Sequence, residues 1–164
     1  MKSKSLNILL VSFFLIGIMS VMLITFLGQA HEDFPKNITI NADETTESVY
    51  AIRNLRLTPA QQEKYVVNLV CAASGRYHIY LEYDETDDGG MKEYVIVTVQ
   101  SGEQTVYQGP LTTLLDGYEV AFDGELKSDD PLPVTICYEM PYTVGNEAMG
   151  TYVDFDVCIQ IEKS

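Results

Sequence analysis

Strict alternation of apolar and polar side chains recurs three times in this 164-residue chain, and a period of two is incompatible with an amphipathic helix. Arg76-Tyr77-His78-Ile79-Tyr80-Leu81-Glu82-Tyr83 sets Tyr77, Ile79, Leu81 and Tyr83 on one face and Arg76, His78, Tyr80 and Glu82 on the other. Leu132, Val134, Ile136, Tyr138 and Met140 alternate with Pro133, Thr135, Cys137 and Glu139. Val153, Phe155, Val157, Ile159 and Ile161 alternate with Asp154, Asp156, Cys158, Gln160 and Glu162. Each pattern predicts a half-buried antiparallel strand. Tyr65 to Ala72 and Tyr94 to Val99 are more evenly apolar and read as strands covered on both sides, with Thr105 to Gln108 and Tyr118 to Phe122 as shorter strands.

Turn chemistry separates these segments at Ser74-Gly75, Asp88-Gly89-Gly90, Ser101-Gly102, Asp116-Gly117, Asp123-Gly124 and Asp129-Asp130-Pro131. Seven or eight strands at this spacing predict an all-β fold, a two-sheet antiparallel sandwich over residues 49–164. The one helical signal in that region is Pro59 to Tyr65, where Thr58 is placed to N-cap and Pro59 to occupy the first helical position. Residues 31–48 are polar and acidic apart from Phe34, Ile38 and Ile40, and read as an extended arm or as a first strand beginning near Asn37.

The amino-terminal thirty residues belong to a different regime. Lys2 and Lys4 precede an apolar run from Leu6 to Leu27, followed by the small-x-small triplet Gly28-Gln29-Ala30. This is the pattern of an apolar signal helix cleaved between Ala30 and His31 by a signal peptidase. The run is also long enough for an uncleaved anchor, so membrane contact is expected only through residues 6–27.

All 24 acidic residues follow Ala30 and two of the ten basic ones precede it, leaving the mature chain a formal charge of −16. Such a surface repels phosphate, and nucleic acid is excluded as a partner. His31 and His78 are the only histidines, so no paired-histidine metal motif exists, and no nucleophile signature accompanies any Ser or Cys. His78, on the polar face of its strand, reads as a surface residue. No catalytic, cofactor-binding or metal residue is assigned, and no cofactor is expected. Asp84-Glu85-Thr86-Asp87-Asp88-Gly89 begins like a calcium loop, but its twelfth position is Val95 where a bidentate Glu is required; an acidic hairpin turn accounts for it better.

Cys71, Cys137 and Cys158 all lie beyond the leader, in a compartment that tolerates disulfides. If the last two strands form a hairpin with Ile136 opposite Ile159, Cys137 falls opposite Cys158, with Cβ atoms about 4.5–5.5 Å apart, slightly long for a relaxed disulfide. A Cys137–Cys158 bridge and three reduced thiols both fit the sequence.

Three blocks in fixed order carry a family resemblance. Asn54-Leu55-Arg56-Leu57-Thr58-Pro59 resembles an "NL-x-PG" turn, and Tyr107-Gln108-Gly109-Pro110-Leu111-Thr112-Thr113-Leu114 resembles a "Y-x-G-x-L-x-x-L" segment. Met140-Pro141-Tyr142-Thr143-Val144-Gly145-Asn146-Glu147-Ala148-Met149-Gly150, with Val153-Asp154-Phe155-Asp156-Val157 after it, resembles an "LP-x-x-x-GN-x-x-x-G" loop and a closing "FDFVF" strand. From Ile52 onward the chain is thus similar to the TasA and camelysin family of exported Gram-positive surface proteins. It departs at Ala60-Gln61, where the family favours Gly-Asp, and in its loosely similar mature start at His31. The resemblance implies a jelly-roll-like sandwich, a dedicated signal peptidase and a structural role in biofilm matrix or surface fibres. It implies self-association through an amino-terminal strand donated to the next subunit, for which Phe34, Ile38 and Ile40 supply an apolar face. The same strand folded back on its own domain is the alternative. Camelysin-type members are grouped as metallopeptidases, which sets an enzyme reading beside the structural one, and a monomeric surface-binding module is a third.

Overall fold

The computed structural model describes residues 36–40 and 45–164; the expected leader and its cleavage point lie outside them. Within these residues nine strands form two sheets that face each other across a single apolar layer. The strands are β1 (Asn37–Ile40), β2 (Thr46–Leu55), β3 (Gln62–Cys71), β4 (Gly75–Gly89), β5 (Ile96–Ser101), β6 (Gln104–Pro110), β7 (Val120–Leu126), β8 (Leu132–Glu139) and β9 (Tyr152–Lys163). One sheet runs β1-β3-β8-β5-β6 and the other β2-β9-β4-β7. Every pairing is antiparallel except β1 with β3, which is parallel.

The alternation that predicts strands also decides which face is buried. Tyr77, Ile79 and Leu81 of β4, Val134, Ile136 and Tyr138 of β8, and Val153, Phe155, Val157, Ile159 and Ile161 of β9 point inward and are all but inaccessible, while the residues alternating with them, except the buried Thr135, are at least partly exposed. β9 lies between β2 and β4, so it carries the most cross-strand pairs and its five inward side chains form the centre of the core. Burying an aliphatic side chain of this size contributes about 1.5–3 kcal/mol.

Several expectations are corrected by this topology. β8 and β9 do not form a hairpin: residues 140–151 carry the chain from one sheet to the other, and β8 pairs with β3 and β5 while β9 pairs with β2 and β4. Cys137 therefore faces outward from one sheet and Cys158 outward from the other. With a core about 10 Å thick between them, these two thiols cannot bridge within one chain, and all three cysteines are free.

Pro59 to Tyr65 is no helix. Thr58 to Gln61 is a tight turn with Gln61 N–H donating to Thr58 O at 2.9 Å, Ala60 takes φ 67°, and β3 starts at Gln62. The one α-helix among the described residues is α1 (Leu111–Leu115), which plugs Leu111 and Leu114 into the core and ends at Gly117 with φ 92°. β3 and β5 are wet on one face, Val66 being 42% exposed. The acidic run Asp84–Gly89 is no turn but the far half of β4, and Asp123-Gly124 lies inside β7.

Candidate functional site

The strand that the resemblance singles out sits at an edge. Ile38 and Ile40 of β1 project into the core, 4% and 1% exposed, beside Leu69 and Cys71 of β3. Asn68 N–H donates to Lys36 O at 2.9 Å, Ala72 N–H to Ile40 O at 3.4 Å, and the Asn68 side-chain amide to Asn37 Oδ1 at 3.2 Å. β1 thus occupies its own domain, as the folded-back alternative requires; Phe34 lies outside the described residues. β1 covers only Asn68–Cys71 of a ten-residue partner. Along Gln62–Val67, β3 has β8 on one side and no strand among the described residues on the other. A sheet edge is where a strand from another chain can be added.

Two of the family-like blocks meet at one end of the sandwich. Ala60 N–H donates to Met140 O at 2.9 Å and Met140 N–H to Gln61 O at 3.0 Å, tying the β2–β3 turn to the start of the β8–β9 connection. Asn54, at φ 55°, donates its N–H to Asp154 Oδ1 at 2.5 Å and accepts Arg56 Nε at 2.7 Å. The Arg56 guanidinium also lies 5.2 Å from the centroid of the Tyr152 ring, a cation–π contact that aligns turn and strand. Between Thr58-Pro59 and Met149-Gly150 is a groove of about 210 Å³. Met149, 74% exposed, lines it, and Tyr142 of the same connection is 82% exposed.

The outer face of the four-stranded sheet is acidic. Glu47, Glu82, Asp84 and Asp156 surround a shallow groove of about 370 Å³ that also exposes Val49 and Cys158. Arg53 crosses it, its guanidinium donating to Asp156 Oδ1 at 2.6 Å and to Phe155 O at 2.9 Å. Burial, then the hydrogen bond to Glu47, pushes the Cys158 thiol up from its ordinary value, and burial does the same at Cys137. Further along β4, Lys92 Nζ meets Glu85 at 2.7 Å and Asp88 at 3.0 Å. The Gly90 N–H, 2.8 Å away, then this ammonium, hold the Asp88 carboxyl below its ordinary range.

An extended backbone spreads these carboxylates along a strand instead of around a point. Among the described residues no three His, Cys, Asp or Glu side chains converge as a metal ion requires. His78 is a surface residue whose Nδ1 lies 2.5 Å from Asp123 Oδ1 on the neighbouring strand. Sequence reasoning did not foresee the acidic groove, because its lining comes from three strands whose adjacency is a matter of topology.

No protein-family model and no curated protein sequence matches this chain. Among solved structures it is similar to the C-terminal CBM6 module of a marine laminarinase from Zobellia galactanivorans. That match has 12% identity and a TM-score of 0.36 over 73% of this chain and all of that one. It is also similar to the periplasmic inhibitor of g-type lysozyme from Aeromonas hydrophila, with 8% identity and a TM-score of 0.31 over 77% of this chain and 98% of that one.

Proposed function

We propose that this chain is an exported structural protein of a Gram-positive cell surface or biofilm matrix, without enzymatic activity, whose copies assemble by exchanging strand β1. The observation that carries the reading is the attachment of β1. Two isoleucines complete the core, yet the strand is short and is held at the edge of its sheet by only four parallel pairs. The same pairs and the same two apolar seats serve equally well for Asn37–Ile40 of another copy, so exchange costs little beyond opening the edge. Strand order supports the jelly-roll-like description: with β1 set aside, β2-β9-β4-β7 and β3-β8-β5-β6 interleave consecutive strands between the two sheets.

Negative-stain electron microscopy of residues 31–164, beside the same chain lacking residues 31–41, tests this reading. Filaments are expected only with the arm present; monodisperse particles in both samples would sink it. The exposed Tyr142 and Met149 favour a second reading, a monomeric surface-binding module that uses the loop end of the sandwich. Monodisperse particles that lose binding to a cell-wall preparation on Tyr142→Ser and Met149→Ser substitution are its signature.

A further inference from the structure

The outward faces of the two sheets differ in charge. Every strand of the four-stranded sheet turns carboxylates outward, among them Glu47 of β2, Glu162 of β9, Glu82 of β4 and Glu125 of β7. In the strands of the five-stranded sheet the charged residues are Glu63, Lys64 and Glu139, and Glu63 falls in the inward phase of β3 with Val67 and Leu69. The outer face of that sheet is therefore made of uncharged side chains such as Val66, Thr98 and Ile96 around one lysine and one glutamate, and its formal charges cancel on a chain of −14. Lys64 and Glu139 are both exposed, and among the described residues neither takes part in an ion pair or a side-chain hydrogen bond. Register sets them at opposite corners of one cell of the sheet: Lys64 pairs with Cys137 and Gln62 with Glu139, both inside the regular ladder of β3 with β8.

We infer that the outer face of the five-stranded sheet docks onto the same face of a second copy of this chain, about a two-fold axis that lies in the interface along the diagonal from Gln62 to Cys137. Rotation about that diagonal exchanges the other two corners of the cell. Lys64 of each copy then lies over Glu139 of the other, and Cys137 lies over Cys137. The cell measures about 4.8 Å across the strands and about 6.7 Å along them, so each lysine falls only about 2–3 Å to the side of its glutamate. The strands of the two faces cross at about 70°, nearer the orthogonal than the aligned class of sheet packing. The charge distribution selects the second copy as occupant. A partner surface of one sign gains from one of these two groups and loses at the other, whereas the face's own image matches both. Laying two four-stranded faces together would instead set carboxylates against carboxylates. Exposed ion pairs are weak, so these two fix the register while covering Val66, Thr98 and Ile96 supplies the affinity. The contact uses the face of the sheet and not its edge, so it goes beyond the exchange of β1 and does not depend on it.

The test cross-links the native cysteines of the full chain, at about 100 μM in mild detergent, with a short bis-maleimide and identifies the products by peptide mapping. Mapping reads the face contact whether or not copies also exchange β1. Cys71 is buried in the core, and Cys158, on the acidic face of the other sheet, is the internal control. The Cys137–Cys137 product is expected to dominate. Lys64→Glu and Glu139→Lys each set like charges over each other in both pairs and are expected to reduce that product at least about tenfold, with circular dichroism establishing that each variant is folded. The two substitutions change the net charge in opposite directions, so a general repulsion between acidic chains would shift their yields apart where the docked pair lowers both. An equimolar mixture of the two restores the link, because each copy then supplies both partners of the other's pairs, and the double variant Lys64→Glu/Glu139→Lys restores it alone. A wild-type chain that gives no more Cys137–Cys137 than Cys158–Cys158 product, or a Cys137–Cys137 link that persists in both single variants, overturns the proposal.

Discussion

Tyr83 of β4 and Tyr138 of β8, from opposite sheets, flank the same ring, that of Phe155, with centroids 5.8 and 5.4 Å away. Both hydroxyls are buried and interact with each other, but neither meets ordinary hydrogen-bond geometry with any partner among the described residues. Burial pushes both phenols well above their ordinary value of 10. A buried, unsatisfied hydroxyl costs about 1–3 kcal/mol, so Tyr138→Phe is expected to stabilise the domain by about 1 kcal/mol at neutral pH, read as a rise in the urea midpoint. The pH dependence follows from the direction of the shifts. Above about pH 10 an unfolded tyrosine loses its proton while the folded one keeps it, so the folded state binds more protons and stability falls as pH rises. Tyr138→Phe is expected to flatten that decline between pH 9 and pH 11; an unchanged slope would mean the phenol titrates alike in both states.

Gly89 is paired directly with Tyr152 across β4 and β9. A Cβ at this position would stand 2.6 Å from the Tyr152 carbonyl oxygen and run into its ring. Because the obstructing atom is backbone, the strand itself must shift. Gly89→Ala is expected to destabilise the domain by about 2 kcal/mol, in the range of overpacked cores, with the loss visible in thermal unfolding.

At Ala60 the strain runs the other way. Pro59 and Ala60 form the corners of the turn that Thr58 and Gln61 close, and φ 67° at Ala60 is a left-handed value that a Cβ disfavours by about 1–2 kcal/mol. Glycine removes that cost while adding conformational entropy to the unfolded chain, about 0.5–1 kcal/mol against it. Ala60→Gly is therefore expected to raise stability by up to about 1 kcal/mol, measured by chemical denaturation.

Cys158 reports on the acidic groove. Its thiol lies 3.5 Å from Glu47 Oε1, and burial followed by this carboxylate holds it protonated. Since the thiolate is the reacting species, alkylation by iodoacetamide at pH 8 is expected to be several-fold slower than for an unhindered thiol. Glu47→Gln removes the carboxylate and should accelerate modification of Cys158 specifically, leaving Cys137, on the other sheet, unchanged. Peptide mapping by mass spectrometry distinguishes the two.

The contrast between what these residues disclosed and what they hid has a common cause. Period-two alternation reports which side of a strand is dry, so the inward sets of β4, β8 and β9 were legible residue by residue. It carries no information about which sheet a strand joins. Val134 through Met140 and Val153 through Ile161 would satisfy a hairpin as well as they satisfy two facing sheets, and the Cys137–Cys158 pairing fell with that ambiguity. The connection over residues 140–151 was the available signal, being long for a hairpin loop. Gly124 was read as a turn because glycine usually marks one; inside β7 it admits Ile79, whose Cδ1 would lie 2.7 Å from a Cβ there. Asp84 to Asp88 looked like a turn by composition, but Lys92 and Tyr152 supply partners that let three of its carboxylates lie along a strand. Leu111–Leu115 is too short to show a helical period.

Asn37 and Asn68 offer a lock on the strand that the proposed assembly requires to move. They are paired in the parallel register of β1 with β3, and the Asn68 side-chain amide already donates a 3.2 Å hydrogen bond to Asn37 Oδ1. Cysteines at both positions face each other across one rung, close enough for a disulfide that fixes β1 in its own domain. Asn37→Cys/Asn68→Cys, oxidised, is expected to be more stable than the wild-type chain, because the cross-link limits the unfolded ensemble. It should also fail to assemble, since a strand tied in place cannot be given to a neighbour. Reduction should restore assembly without altering the fold, and electron microscopy of the same sample before and after reductant reads both states. If the oxidised variant builds filaments as readily as wild type, β1 stays home during assembly and the exchanged element must be sought elsewhere.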